Sequence, residues 1–169
     1  MENKESTCHP PSFRKLYDQY AEMLRNFVYY KSGDTGFAED ATQESFLRLW
    51  KNCASVPIEK AKNYLFTVAN NLFLDKVKHQ KVQLKFRAIA QSNSTNENPE
   101  FLMEEQEFKH KLETAINALP DNQKTVFLMN RVDKMKYREI AEALGISQKA
   151  VEKRIHKALL FLRTEIGNI

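Results

Sequence analysis

The sequence predicts an all-α fold of two small helical domains, which we call the first and second lobes, joined by a flexible linker. Apolar residues recur at helical spacing along most of the chain, and the four glycines fall between the periodic segments. One stretch, 91–99, is polar, aperiodic and ends in proline, as linkers commonly do. We therefore place the first lobe at 10–87, the linker at 88–107 and the second lobe, with a helix-turn-helix, at 108–169.

Length and composition exclude several classes of protein. With 169 residues, 42% of them hydrophobic, the chain can bury a core without covalent support. Two cysteines, Cys8 and Cys53, are too few for a disulfide framework, which favours a reducing compartment. Neither a signal peptide nor a membrane-spanning stretch is visible. We therefore expect a soluble, cytoplasmic protein with no direct membrane insertion.

No group of residues indicates catalysis or metal binding. The four histidines are scattered, no Cys/His cluster has the spacing of metal ligands, and no glycine-rich phosphate loop is present. Cys8 and His9 are neighbours, but they are isolated in a terminus that we expect to be loose. We therefore expect no cofactor, no bound metal, no catalytic residue and no small-molecule substrate, so the protein is not expected to be an enzyme.

The distribution of charge is more informative than the net charge of +4. Basic residues cluster in 74–87 and again in 147–163, whereas 97–113 between them is rich in glutamate. This pattern predicts two surfaces that face anions, joined by a segment that avoids them.

Residues 137–163 carry the pattern of a helix-turn-helix. The spacing predicts a short amphipathic helix over Tyr137–Leu144. Gly145 can adopt the left-handed conformation that ends such a helix, and Ser147 can cap the next one. The outer face of that next helix offers groups that contact phosphates and base edges. The alternative is a plain helical hairpin with a solvated charged face. The candidate DNA-binding residues are Gln148, Lys149, Glu152, Lys153, His156 and Lys157.

A helix expected over 38–52 has an unusual outer face. Leu47 lies there among polar groups, with Trp50 at the border. A face of this composition is poorly suited to contact with solvent and well suited to binding a protein. From the residues alone, the favoured interpretation is an ordinary surface helix with a Glu44–Arg48 ion pair. The candidate protein-binding residues are Asp40, Gln43, Glu44, Leu47 and Trp50.

The third segment, 60–78, interleaves aromatic residues with amides and a basic tail. Such groups suit single-stranded or flipped bases, although aromatic residues at helical spacing more often belong to a core, as we expect for Phe66 and Phe73. We expect the helix to be interrupted or bent near Asn70 and Asn71. The candidate DNA-binding residues are Tyr64, Asn70, Asn71, Lys76 and Lys78.

In this order around an acidic polar linker, the three segments resemble the extracytoplasmic-function sigma factors of bacterial RNA polymerase. The resemblance is carried by 40–50, 64–71 and 145–163. It implies that the first docks the clamp helices of the polymerase's largest subunit and that the second recognises and opens the −10 element, with Asn71 holding a flipped base. It further implies that the helix after Ser147 reads the −35 element. Core RNA polymerase, promoter DNA and an anti-sigma factor are the implied partners.

Two other functions stay open from the residues alone. One is a stand-alone helix-turn-helix regulator whose first lobe senses a ligand or dimerises. The other is an interaction module that does not bind DNA. The helix over 40–50 separates the first from a sigma factor, and co-purification with core RNA polymerase is the observation that would decide.

Overall fold

The chain is helical throughout the residues that its computed structural model describes, 6–87 and 103–167. Neither range contains a strand, so the predicted all-α class is confirmed. None of the helices in these ranges combines the length and apolarity that crossing a membrane requires. The elements are α1 (Pro10–Ser32), α2 (Thr35–Lys51), a short 3-10 helix (Ile58–Lys60), α3 (Ala61–Arg87), α4 (Met103–Ala118), α5 (Asp121–Arg131), α6 (Tyr137–Leu144) and α7 (Gln148–Ile166).

The predicted linker, 88–107, falls mostly outside the described residues. Residues 88–102 belong to the part of the chain that the structure does not describe, as do 1–5 and 168–169. The remaining linker residues form the start of α4, which begins at Met103. The second lobe of the structure therefore comprises α4–α7.

The first lobe is built from α1, α2 and α3. Gly33 ends α1 in the left-handed conformation (φ 65°), and Asp34 caps α2 by accepting a hydrogen bond from the backbone N–H of Phe37 at 2.9 Å. This tight turn folds α2 back along α1. The buried side of α2 is the one that its periodicity predicts: Ala38, Ala41, Ser45, Phe46 and Leu49.

Helix α3 is continuous, so the expected interruption near Asn70 and Asn71 is wrong. The two amides have only a modest cost in a helix interior. Leu65, Phe66 and Phe73 are buried on one side of α3, and this packing holds the backbone helical through the amide pair. The expectation that Phe66 and Phe73 belong to the core is confirmed.

The helix-turn-helix forms as predicted within the second lobe. Gly145 adopts the left-handed conformation (φ 63°), and the hydroxyl of Ser147 accepts a hydrogen bond from the backbone N–H of Ala150 at 3.1 Å. A Cβ atom at position 145 would also lie 3.1 Å from Nδ2 of Asn63 in the first lobe. The left-handed backbone conformation therefore favours glycine here, and a larger residue would in addition have to displace the side chain of Asn63.

The segment before α1 is packed, and this corrects the expectation of a loose terminus around Cys8 and His9. Cys8 and Cys53 form a disulfide with their Cα atoms 5.0 Å apart. Thr7 is buried, and its hydroxyl donates a hydrogen bond to the carbonyl oxygen of Val56 at 2.8 Å. The cause is the turn at Gly33, which brings the end of α2 beside the start of α1 and so places two distant cysteines together.

We predict that the disulfide contributes about 2–4 kcal/mol to the free energy of unfolding, because it closes a loop with a sequence separation of 45 residues. Urea unfolding with and without dithiothreitol measures the loss in the wild-type chain. The Cys8→Ser, Cys53→Ser double variant should have the urea midpoint of the reduced wild type, and dithiothreitol should not change that midpoint. Equal midpoints for oxidised and reduced wild-type protein would contradict the prediction.

Candidate functional site

The outer face of α2 combines a normal ion pair with unusual apolar exposure. Leu47 and Trp50 leave 49% and 44% of their surfaces exposed. The guanidinium of Arg48 donates a hydrogen bond to Glu44 at 2.7 Å, so the pair expected of an ordinary surface helix is also present. A pair this exposed contributes little to stability and does not account for the exposed Leu47. The predicted protein-binding residues that lie on this side are Asp40, Gln43, Glu44, Leu47 and Trp50.

Helix α1 extends this apolar surface, and sequence reasoning missed its contribution. The rings of Phe13 and Trp50 meet edge to face with centroids 5.0 Å apart. Tyr17, 45% exposed, lies against Phe46 with ring centroids 4.9 Å apart. The spacing of Phe13 and Tyr17 placed them on one face of α1, but only the packing of α1 on α2 shows that this face borders Trp50.

Of the residues predicted to contact DNA on α3, Asn71 and Lys78 are freely exposed. Tyr64 is half-buried, and its hydroxyl accepts a hydrogen bond from Nδ2 of Asn52 at 3.2 Å. The amide of Asn71 can therefore reach a base without moving any contact that the structure records for it.

The other two predicted residues of α3 already have partners within the first lobe. Asn70 accepts a hydrogen bond from Lys31 at 2.8 Å. Lys76 pairs with Asp34 at 2.6 Å and lies over the ring of Phe37, 4.0 Å from its centroid. The hydrogen bond from Lys76, followed by the one from the backbone, lowers the pKa of Asp34. These contacts hold Oδ1 of Asn70 and one donor of the Lys76 ammonium within the first lobe, and leave the Nδ2 group of Asn70 without a recorded partner.

The outer face of α7 is exposed along its whole predicted length. Its buried side consists of Val151, Ile155, Ala158 and Leu162, as the periodicity predicts. The polar groups on the opposite side therefore project from a helix that the core holds rigidly, which suits insertion into a major groove. The exposed residues are those named from the sequence: Gln148, Lys149, Glu152, Lys153, His156 and Lys157.

The two lobes pack directly against each other, and Asp133 carries one set of polar contacts between them. It follows α5 and accepts hydrogen bonds from Nδ2 of Asn26 at 2.8 Å and from the hydroxyl of Tyr30 at 3.0 Å. Both donors lie on α1. The sequence analysis treated the lobes separately and therefore missed this contact.

A second set of contacts joins α3 to α6. The ammonium of Lys62 lies 3.3 Å from the carboxylate of Glu142, and Asn63 donates a hydrogen bond to the backbone carbonyl of Glu142 at 3.1 Å. Beneath these polar contacts, one apolar cluster runs from Phe66 of the first lobe to Ile140 of the second. The lobes therefore share a core and are not held by surface contacts alone.

Burial raises the pKa of Asp133, and its hydrogen bonds from Asn26 and Tyr30 oppose that shift. One of its oxygens, Oδ2, is buried with no hydrogen-bond partner. Packing of the lobes disfavours the ionised form of this carboxyl. The contribution of Asp133 to lobe packing is therefore largest at pH values below the usual aspartate pKa. That contribution is lost as the pH rises through the raised value. At neutral pH the hydrogen bonds from α1 are what offset the cost of the buried charge.

Metal binding has no support in the described part of the chain. Among residues 6–87 and 103–167, no three side chains of His, Cys, Asp or Glu come together as ligands.

Comparison with known proteins matches each lobe to a family. The family model for sigma-70 region 2 matches residues 16–82, and the model for sigma-70 region 4 matches residues 109–162. The chain is 27% identical over 157 residues to the ECF RNA polymerase sigma factor SigE of Mycolicibacterium smegmatis, covering 90% of this chain and 61% of that protein. It is 27% identical over 169 residues to SigW of Bacillus subtilis, covering 94% and 90%.

The fold is also found in a solved structure. The sigma factor RpoE, in complex with the anti-sigma factor NepR from Bartonella quintana, superposes with a TM-score of 0.64 at 20% identity. The match covers 91% of this chain and 96% of that one, so it includes both lobes.

We predict that Asp133→Ala weakens lobe packing by about 1–3 kcal/mol, because it leaves Asn26 and Tyr30 without their shared acceptor. Small-angle scattering should show a larger radius of gyration with unchanged helix content by circular dichroism. Asp75→Ala, at an exposed position on α3, is the matched control and should scatter like the wild type. A wild-type radius for Asp133→Ala would show that this carboxyl does not hold the lobes.

Proposed function

The chain belongs to the extracytoplasmic-function group of RNA polymerase sigma factors, and we propose how its surfaces divide the work of transcription initiation. As a sigma factor it binds core RNA polymerase and directs it to promoter DNA, and it is not itself an enzyme. The observation that supports the division of work best is the exposed apolar face of α2 within the region 2 match, 16–82.

Core RNA polymerase binds, in this proposal, to the outer face of α2. Leu47 and Trp50 are the apolar anchors, and Asp40, Gln43 and Glu44 surround them with hydrogen-bond acceptors. Exposed apolar side chains ringed by polar groups are typical of protein interfaces. The neighbouring Phe13 and Tyr17 of α1 extend the apolar area beside Trp50, and we include them in the interface.

The −10 element is assigned to α3. Asn71 is exposed and can hydrogen-bond the edge of an extruded base, and Lys78 is placed to contact a phosphate. Tyr64 offers a ring for stacking. Asn70 and Lys76 are included with them, and contact with DNA competes with their bonds to Lys31 and Asp34.

The −35 element is assigned to the outer face of α7. Lysine side chains there neutralise phosphates, whereas glutamine and glutamate can read adenine and cytosine. The residues proposed for this contact are Gln148, Lys149, Glu152, Lys153, His156 and Lys157.

An anti-sigma factor is proposed as a further partner. The RpoE structure that this chain resembles is a complex with the anti-sigma factor NepR. The direct contact between Asp133 and α1 means that such a partner would need only to stabilise an arrangement that the chain already adopts. We place the protein in the cytoplasm with its polymerase, where the Cys8–Cys53 disulfide would face reducing conditions.

The polymerase interface is tested by Leu47→Ala combined with Gln43→Ala. We expect the affinity for core RNA polymerase to fall by about 1–3 kcal/mol, because the variant removes an apolar anchor and a neighbouring polar contact. Biolayer interferometry with immobilised core enzyme measures the change, and circular dichroism checks the fold.

The matched control is Leu74→Ala with Gln80→Ala. Leu74 is 52% exposed on α3, close to the 49% of Leu47, and Gln80 is also exposed. This variant should bind core enzyme like the wild type. Wild-type affinity in both variants would show that the interface lies elsewhere.

A further inference from the structure

A cavity of about 360 Å³ lies where the two lobes meet. The first lobe contributes Lys31 and Asn70 to its lining, and the second contributes Asn122, Thr125 and Arg154. The volume is within the range of natural small-molecule sites. Of the residues assigned a function above, Asn70 is the one that also lines this cavity.

The cavity is lined by positive charge. Lys31 and Arg154 enter it from different lobes, and none of the described residues that line it is acidic. Burial lowers the pKa of Lys31; Asp121, outside the lining, opposes that shift, and the nearby Arg154 adds to it. Two cations that line the same partly buried space are stabilised by a bound anion.

Thr125 also lines the cavity and carries a hydroxyl that lacks a partner within the chain; this oxygen is itself buried, so a ligand reaches it only when the side chain rotates. Thr125 is 3% exposed, and its Oγ1 makes no hydrogen bond within the chain. A buried polar group without a partner destabilises the fold unless a ligand or a water satisfies it. Asn122 and Asn70 place amides on the same lining. A ligand with several acceptor oxygens fits this set of donors better than one with a single oxygen.

We propose that the cavity binds a small phosphorylated molecule, with its phosphate between Lys31 of the first lobe and Arg154 of the second. A phosphate offers more acceptor oxygens than a carboxylate, and arginine is well suited to binding it. Because the two cations belong to different lobes, the ligand binds only the packed arrangement and stabilises it by mass action.

The binding site itself does not depend on the proposed function, but its consequence does. Asn70, which is assigned to the −10 element, lines the cavity and accepts a hydrogen bond from Lys31 at 2.8 Å. A bound phosphate would keep Lys31 in place and with it Asn70. The ligand would therefore disfavour promoter opening without touching the polymerase interface on α2.

The test is thermal unfolding of the full chain with inorganic phosphate or AMP as probes, at constant ionic strength, with acetate as the reference anion. We expect the unfolding temperature to rise saturably with phosphate and AMP and not with acetate. Arg154→Gln should weaken AMP binding by about 10- to 100-fold, as expected for the loss of a charge-assisted hydrogen bond. Lys109→Gln, at an exposed cation on α4 with no assigned role, is the control and should respond like the wild type.

The Thr125→Val variant distinguishes a loss of ligand binding from a fold defect. Removing the unpaired hydroxyl should raise the unfolding temperature without ligand and reduce the further rise with AMP. A fold defect would lower the first quantity. Failure of phosphate and AMP to exceed acetate would overturn the proposal, as would an equal response in Arg154→Gln. Binding of a short single-stranded oligonucleotide but not of AMP would also overturn it, in favour of a DNA contact.

Discussion

The rest of the structure depends on the contact between the two lobes, in which Asp133 accepts hydrogen bonds from Asn26 and Tyr30 over a shared apolar core. This contact positions α6, whose Glu142 meets α3, and it brings the backbone at Gly145 close to the side chain of Asn63. The helix-turn-helix is therefore attached to the first lobe through its own turn, and its orientation is not independent of α1 and α3.

The packed arrangement divides the binding surfaces into accessible and engaged groups. The outer faces of α2 and α7 are open, whereas Asn70 and Lys76 on α3 are held by Lys31 and Asp34. On the proposed division of surfaces, polymerase meets groups that are already exposed, whereas the −10 element meets two side chains that also have partners within the first lobe.

Features that depend on neighbouring residues could be predicted from the sequence, and features that depend on packing could not. Gly145 and Ser147 carry local signals for a turn and a cap, and the apolar periodicity of α2 and α7 fixes their buried sides. The Cys8–Cys53 bond joins residues far apart in the chain, and it follows from the antiparallel packing of α1 and α2. Asp133 is an ordinary loop residue in sequence, because its partners lie in the other lobe.

The central claim is that the free protein has its lobes packed together and gains specific promoter binding only on core polymerase. Each lobe offers few cations to DNA, which gives non-specific dissociation constants of about 10⁻⁴–10⁻⁶ M at physiological salt. A mobility-shift assay on a cognate promoter fragment at about 150 mM salt, where exposed phosphate contacts are well screened, tests the claim most directly. We predict little specific shift by the protein alone and a shifted, opened complex once core polymerase is added. Tight, sequence-specific binding by the isolated protein would contradict the account and favour a free-standing regulator.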